Sequence, residues 1–205
     1  MDGSEKLIWE KEGVRIANLP LEQSWIMHVW EDKLMEILAK KATENGGDIL
    51  ELGFGMGISA TYVQQQNIKS HTIIEVHPEM YEKAVEWSKT RQNVTVLFGS
   101  WQDVIPTLDK KFDGILHDTH ADDYSNFLLT IKNICKEGCV VSFYKNKTYN
   151  DGFFDILEVK VDEVCDVNNS PYLYPRTENE GSIFKNNTYK IKSVYYRQGM
   201  FTKQK

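Results

Sequence analysis

Apolar positions along this chain switch between two periods, and the switches mark out its elements. From Leu21 to about Glu44, Ile26, Trp30, Leu34, Ile37 and Leu38 recur at three and four residues, which predicts one amphipathic helix. Asn45-Gly46-Gly47 stops it. Short β-branched runs follow at 49–52, 71–76, 93–98, 112–117 and 139–144, separated by helix-compatible stretches at 58–66, 79–89, 101–108 and 122–135. Pro78 opens the second of those helices, at a position where a missing N–H costs nothing. This alternation predicts an α/β fold, a doubly wound parallel sheet with right-handed crossovers and helices on both faces.

The flanks carry weaker signals. Residues 1–20 mix charge with an isolated Trp9 and end in Leu19-Pro20, which reads as an irregular arm folded over a site. Beyond 145 the expectation is a helix over Asn150–Glu158 and a strand over Val159–Val167. A long Asn-, Pro- and Gly-rich loop over Asn168–Asn187 and a final strand over Tyr189–Tyr196 follow. No linker divides the chain, so residues 1–45 (arm and substrate-side helix) and 46–205 (sheet domain) are expected to form one compact unit.

Totals narrow the class. At 205 residues and 41% apolar, the chain suits one domain with a sizeable core. No apolar run approaches the roughly 18 residues a membrane helix needs, and the acid-rich first 20 residues do not read as a signal peptide. Cys135, Cys139 and Cys165 are odd in number and lack CxxC spacing, so reduced thiols in a cytoplasmic protein are expected, and no structural metal. A net charge of −6 argues against a nucleic-acid surface and suits a cationic substrate. Oligomeric state is left open, a homodimer included.

Chemistry concentrates at Asp48-Ile-Leu-Glu-Leu-Gly-Phe-Gly-Met-Gly57. A buried strand runs into glycines 53, 55 and 57, where a sharp turn and a close-lying ligand leave no room for a Cβ. Dinucleotide fingerprints place the third glycine three residues after the second. Here the spacing is two, with Glu51 ahead of the first, and that variant is similar to motif I of class I S-adenosylmethionine-dependent methyltransferases. A second acid, Glu75, ends the next apolar run 22 residues after Gly53, where a ribose-binding carboxylate belongs.

Residues at the carboxyl ends of parallel strands face the ligand crevice. Trp101, past the third strand, either lies against adenine or packs in the core. Asp118 ends the fourth strand, where a buried carboxylate needs a partner or a job. The cluster His117-Asp118-Thr119-His120-Ala121-Asp122-Asp123 invites a metal reading. Against it, His117 and Asp118 point to opposite sides of a continuing strand, and Asp122 and Asp123 suit a helix start.

Five segments together resemble guanidinoacetate N-methyltransferase and the related fungal arginine δ-N-methyltransferases: Met27-His-Val-Trp-Glu31, Gly47–Met56, Ile73-Ile-Glu75, Gly99–Leu108 and Phe112–Thr119. The similarity spans about residues 25–145. It implies a Rossmann-like class I methyltransferase sheet and S-adenosyl-L-methionine as cofactor, leaving S-adenosyl-L-homocysteine, without a metal. By this resemblance Phe54, Gly55, Met56, Gly57, Ile58 and Ser59 cradle the methionine part, with Met27, Glu51 and Gly53 beside it. Glu75, Val76 and His77 would meet the ribose, Trp101 and Gln102 the adenine, and Asp118 would border both ligands. Glu31 and Asp118 match the two carboxylates that hold the guanidino group. His120, Lys145 and Asn146 fall on the substrate side.

Those residue types fit the task. Carboxylates bind the planar N–H fork of a guanidinium bidentately. Its nitrogens are poor nucleophiles, so one carboxylate, Asp118, is expected to take a proton while Glu31 clamps. Met27 and Glu31, four apart on the predicted helix, would share a face. Departures fall at the substrate's far end: the family has Tyr where His117 and His120 stand, Asn at Lys145, and Leu-Thr at Asn146-Lys147. Guanidinoacetate-like and free arginine-like acceptors both stay open. Peptide-bound arginine, or a regulator that binds the cofactor without turnover, is the alternative.

Overall fold

The computed structural model describes residues 3–119, 127–145, 155–160 and 190–195. Its centre is β4 (Asp48–Leu52), buried at every position. A strand covered on both faces is written as a continuous apolar run rather than an alternating one, and the acids Asp48 and Glu51 are the exceptions within it. β5 (Ser70–Glu75) and β7 (Phe112–His117) pair with β4 in parallel, and β6 (Val94–Phe98) and β8 (Cys135–Lys145) extend the sheet on either side. Two antiparallel strands complete it: β10 (Lys190–Tyr195) lies between β8 and β9 (Asp155–Lys160). The full order is β6-β5-β4-β7-β8-β10-β9. The parallel half and the final strand match expectation, whereas the sheet as a whole is mixed.

Crossovers run through α3 (Ile58–Gln64), α4 (Pro78–Ser88), α5 (Trp101–Val104) and α6 (Phe127–Ile131). The residues 122–126 assigned to the start of the last helix lie outside the described residues, as do Cys165, the loop 168–187, His120 and Asn146. The backbone of Lys145 ends β8. Among the described residues no helix is long and apolar enough to cross a membrane.

Three expectations need correction. The arm is not irregular: β1 (Leu7–Glu10) and β2 (Gly13–Ile16) form a hairpin, with Leu7, Val14 and Ile16 turned inward. The single helix over 21–44 does not exist. A short α1 (Leu21–Ser24) gives way to β3 (Trp25–His28), which pairs with β2, then to a 3₁₀ turn at Val29–Glu31 and to α2 (Asp32–Ala42). Aromatic Trp25 and β-branched Ile26 are only middling helix formers, and the free edge of β2 offers this stretch backbone partners a helix would otherwise supply. Finally, Asp155–Glu158 is strand rather than helix, since Asp155–Lys160 pairs along its length with β10, while Val159 and Lys160 are strand as expected.

α2 buries Leu34, Met35, Leu38, Ala39 and Ala42. They join Leu7, Val14, Met27, Ile49, Val63 and Leu116 in one cluster, which ties the amino-terminal hairpin to the central strands. At the opposite end of the sheet from the glycine turn, Asp48 is 4% exposed and meets Lys136 at 2.9 Å, Lys110 at 3.0 Å and Lys69 at 3.4 Å. Burial works against its charge, but Lys136, Ser70 and Lys110 hold it well below the usual carboxylate range.

Helix and sheet touch closely at Gly114 in β7, where an added Cβ would fall 1.8 Å from the Ala42 carbonyl oxygen. Gly114→Ala should therefore cost at least the ~1–3 kcal/mol typical of overpacking, read as a lower urea midpoint at unchanged slope. A variant as stable as the parent would show that α2 yields freely.

Candidate active site

β4, β5 and β7 run parallel and end at one level, so their carboxyl ends converge. β4 leaves the sheet through Gly53, Gly55 and Gly57, whose φ values of 87°, 54° and 74° are left-handed. Side chains rarely adopt that region, and space is short as well: a Cβ on Gly53 would fall 2.7 Å from the Asp118 carbonyl oxygen. The loop is held from two sides. Met56 N–H reaches Met27 Sδ at 3.4 Å, and Gly57 N–H closes a turn on the Phe54 carbonyl at 2.8 Å.

Glu75 ties the loop to the end of β5. Its carboxylate, 3% exposed, accepts the Phe54 N–H at 2.7 Å and the His77 N–H at 2.8 Å. His77 Nε2–H donates to the Glu5 carbonyl at 2.7 Å, which fixes the tautomer and brings the start of the chain across Val76 and His77. His77 Nδ1 is then a buried acceptor without a protein donor among the described residues. A buried acid and an unsatisfied nitrogen beside a glycine turn fit a ligand that brings its own hydroxyl or N–H donors.

Glu31 sits at the turn that opens α2. Its Oε1 accepts the His28 N–H at 2.7 Å, which aims the carboxylate back toward the strand ends. Burial, then the negative charge of Asp118, push Glu31 up to about 8, although the His28 bond opposes them. Asp118 is pushed up to about 6 by burial and then by the charge of Glu51. Both side chains are half-buried, and neither has a salt bridge among the described residues.

Glu51 itself is fully buried. Ser59 Oγ–H donates to its Oε1, and His71 Nε2 lies 2.8 Å from Oε2, an ion-pair distance at an angle too poor for a good hydrogen bond. The alternation read from β7 holds. His117 faces the core, its ring 4.0 Å from Phe127 and 5.8 Å from Trp101, while Asp118 is close enough to Glu31 and Glu51 for their charges to interact.

The fold thus brings Met27, Glu31, Glu51, Gly53–Ser59, Glu75–His77 and Asp118 to one end of the sheet. Trp101 is 6% exposed and packs edge-on against Phe127 and His117, as part of the core cluster. Gln102 is exposed beside it. Among the described residues no three His, Cys, Asp or Glu side chains are placed to hold a metal. Sequence reading missed His71, whose one available signal was a polar ring at the head of an apolar strand, and the contact of Glu5 with His77.

The fold is that of methyltransferases. The chain superimposes on the O-methyltransferase TomG from Streptomyces achromogenes, in complex with SAM, with a TM-score of 0.54 at 16% identity over 82% of this chain and 80% of that one. The N-methyltransferase NodS from Bradyrhizobium japonicum gives 0.54 at 11% identity, over 83% and 98%. In sequence, protein arginine N-methyltransferase 2 of Yarrowia lipolytica is 37% identical over 114 residues, or 50% of this chain and 24% of the relative. The Saccharomyces cerevisiae protein of the same name is 37% identical over 114 residues, 50% and 27%. The match thus spans about a quarter of the length of these curated relatives. The family model for guanidinoacetate N-methyltransferase matches residues 16–143, from the end of β2 to near the end of β8. With that match running from the hairpin through Glu31, the glycine turn and Asp118, the chain belongs to the guanidinoacetate N-methyltransferase family.

Proposed function

We propose that the chain methylates a guanidino nitrogen of a small molecule, guanidinoacetate-like or free arginine-like, with S-adenosyl-L-methionine as donor. The observation that supports this reading is the pair Glu31 and Asp118. Both carboxylates are half-buried and neither is ion-paired among the described residues, and each is driven up by burial and by a neighbouring negative charge. A guanidinium supplies the missing cation, with the planar donor fork that carboxylates bind. On this reading the segment 1–45 brings Glu31 to the substrate, and the rest of the chain supplies Asp118 and most of the cofactor side.

The residues present suit the donor. The backbone turn of Gly53–Ser59 packs against Met27, and Glu75 and His77 offer acceptors to hydroxyl groups, while the exposed Gln102 can reach a purine edge. When bound, the cofactor supplies a methyl group on a positively charged sulfur. The protein's contribution is orientation, then a proton. A guanidinium that gained a methyl and kept all its hydrogens would become a dication, so an N–H proton must leave as the C–N bond forms. Asp118 receives it; Glu31 holds the fork in place. Alignment of this kind contributes several kcal/mol, with a ceiling of about 7–11, and proton removal about 10²–10⁴-fold.

A second reading takes arginine within a peptide as acceptor. What favours it is the name carried by the sequence relatives, protein arginine N-methyltransferase 2. Mass-spectrometric assays of guanidinoacetate, free arginine and arginine-containing peptides separate the two, since only peptide turnover supports the second.

Asp118→Asn keeps shape but loses basicity, and should lower kcat by about 10²-fold or more. Glu31→Gln weakens a charge-assisted pair worth about 1.5–3 kcal/mol, felt by bound substrate and transition state alike, so it should mainly raise the acceptor KM. Normal turnover by Asp118→Asn would end the mechanism; exchanged patterns would exchange the roles.

Glu75→Ala strands two buried N–H groups, at about 1–3 kcal/mol each. It should raise the cofactor KM, leave acceptor affinity largely unchanged and speed amide exchange at Phe54 and His77. An unchanged cofactor KM would remove Glu75 from the site.

The third test is pH. With Glu31 near 8 and Asp118 near 6, the free pair carries protons at neutral pH that a guanidinium must displace. The guanidinium stays charged throughout (pKa about 13.8), so affinity should rise from pH 6 to 8 and binding should release protons. Calorimetry in buffers of different ionisation heat reads that release; none, with flat affinity, would exclude the pair as the clamp.

A further inference from the structure

The glycines of the turn after β4 are crowded by the protein itself, and the third of them by an aromatic ring. A Cβ on Gly57 would fall 2.7 Å from Phe54 Cζ and 3.0 Å from Cε2, just as one on Gly55 would meet Met27 Sδ at 3.0 Å. A side chain free to swing aside would make such a contact cheap, but the Phe54 ring has no such freedom. It is 3% exposed and packs among Ala60, Ile73 and Ala84. Behind it stands Trp87 of α4, with ring centroids 5.6 Å apart and 64° between the planes. Trp87 is held in turn by Arg91, whose Cζ lies 3.8 Å from the indole ring and whose Nη1–H donates to the Trp87 carbonyl at 2.5 Å. The backbone of Phe54 is fixed at both ends as well: its N–H donates to Glu75, and its carbonyl accepts the Gly57 N–H.

We propose that Phe54 is a positioning residue whose buried ring, wedged between Gly57 and Trp87, holds the glycine turn in the shape that receives S-adenosyl-L-methionine and makes no contact with it. Gly57 adopts φ 74° at the start of α3, and a turn already held in its bound shape spares the cofactor the cost of ordering it. Any residue but glycine at 57 must push the ring back onto Trp87 or open the turn. The glycine is therefore demanded by Phe54 and by the left-handed backbone, with no ligand needed to explain it. Trp87 and Arg91, on α4 and just after it, act on the site only through that ring. The inference rests on the reading of the turn as the cofactor site.

Calorimetric titration of the full chain with S-adenosyl-L-homocysteine tests this without turnover. Phe54→Leu keeps an apolar side chain but removes the ring atoms that face Gly57. It should weaken binding about three- to tenfold, the scale of ordering a side chain or loop on association. Gly57→Ala should weaken it further, and in the Phe54→Leu background that added loss should shrink by about threefold or more, as for residues in contact. Urea midpoints are read alongside, because a purely structural role would lower them and leave the affinity of the folded protein in place. Parent affinity in folded Phe54→Leu, or an equal loss from Gly57→Ala in both backgrounds, overturns the proposal. Should a Phe54 or Gly57 variant fail to fold, Trp87→Ala and Trp87→Phe take its place. The first should weaken binding at unchanged acceptor KM, and the second, which keeps an aromatic backstop, should bind as the parent does; equal affinities in the two overturn the proposal. A parent chain that binds no S-adenosyl-L-homocysteine ends the cofactor reading itself, whereas normal parent binding with unaffected variants ends this inference alone.

Discussion

Ionised together, Glu31 and Asp118 would repel each other, and the fold nevertheless brings both to the same end of the sheet. Neither could be held there by its own segment. Asp118 is fixed where β7 ends beside β4, and its backbone N–H donates to Leu52 at 3.3 Å. Glu31 is fixed by the His28 N–H and by a helix whose buried face is anchored in the core. The repulsion is supported by packing elsewhere, since a carboxylate driven from about 4.5 to about 8 lowers the stability of the free protein wherever the unfolded chain would ionise it. For such an acid the penalty is absent below its ordinary value and complete above the folded one.

The two ends of the sheet handle buried charge in opposite ways. Asp48, at the amino end of β4, is met by Lys136, Lys110 and Lys69, and its proton is held off strongly. Asp118, just past the carboxyl end of the neighbouring strand, instead feels the charge of Glu51 and in turn raises Glu31. A neutralised cluster has nothing left to bind. Among the described residues no cation pairs with Asp118 or Glu31 at the other end, and that asymmetry sets the two ends apart.

How far the sequence discloses this depends on whether a signal is local. The parallel strands were legible because each is a β-branched run with its own stop, and the glycine turn because left-handed backbone leaves a compositional trace. The fate of Trp25–Glu31 was not, since a three- and four-residue apolar recurrence fits that stretch equally well. Its strand exists only because β2 lies alongside, a hairpin formed by residues that looked irregular. Met27 and Glu31 were thus grouped by a helix that is absent; strand, turn and the His28 bond bring them to the site instead. Trp101 could be read either as a ligand contact or as core, and its neighbours Phe127 and His117 arrive from other elements. Glu31 was picked out by family resemblance, and nothing nearby in sequence reveals that a histidine stands behind Glu51.

The close seat of Gly114 against Ala42 has a mechanical side. α2 has 11 residues, which makes a rod about 16 Å long. Glu31 rides at one tip, while the other tip rests on β7 and, through the Asn45 side chain, on the Gly138 carbonyl at 3.1 Å. Such a rod is a lever with its fulcrum at the far end of the sheet. A tilt of about 4° at that fulcrum moves the tip by about 1 Å over this length, and misalignment of that size costs on the order of 10²-fold in rate. One missing methyl group, on the side of the molecule away from all the chemistry, therefore sets the aim of a carboxylate it never touches.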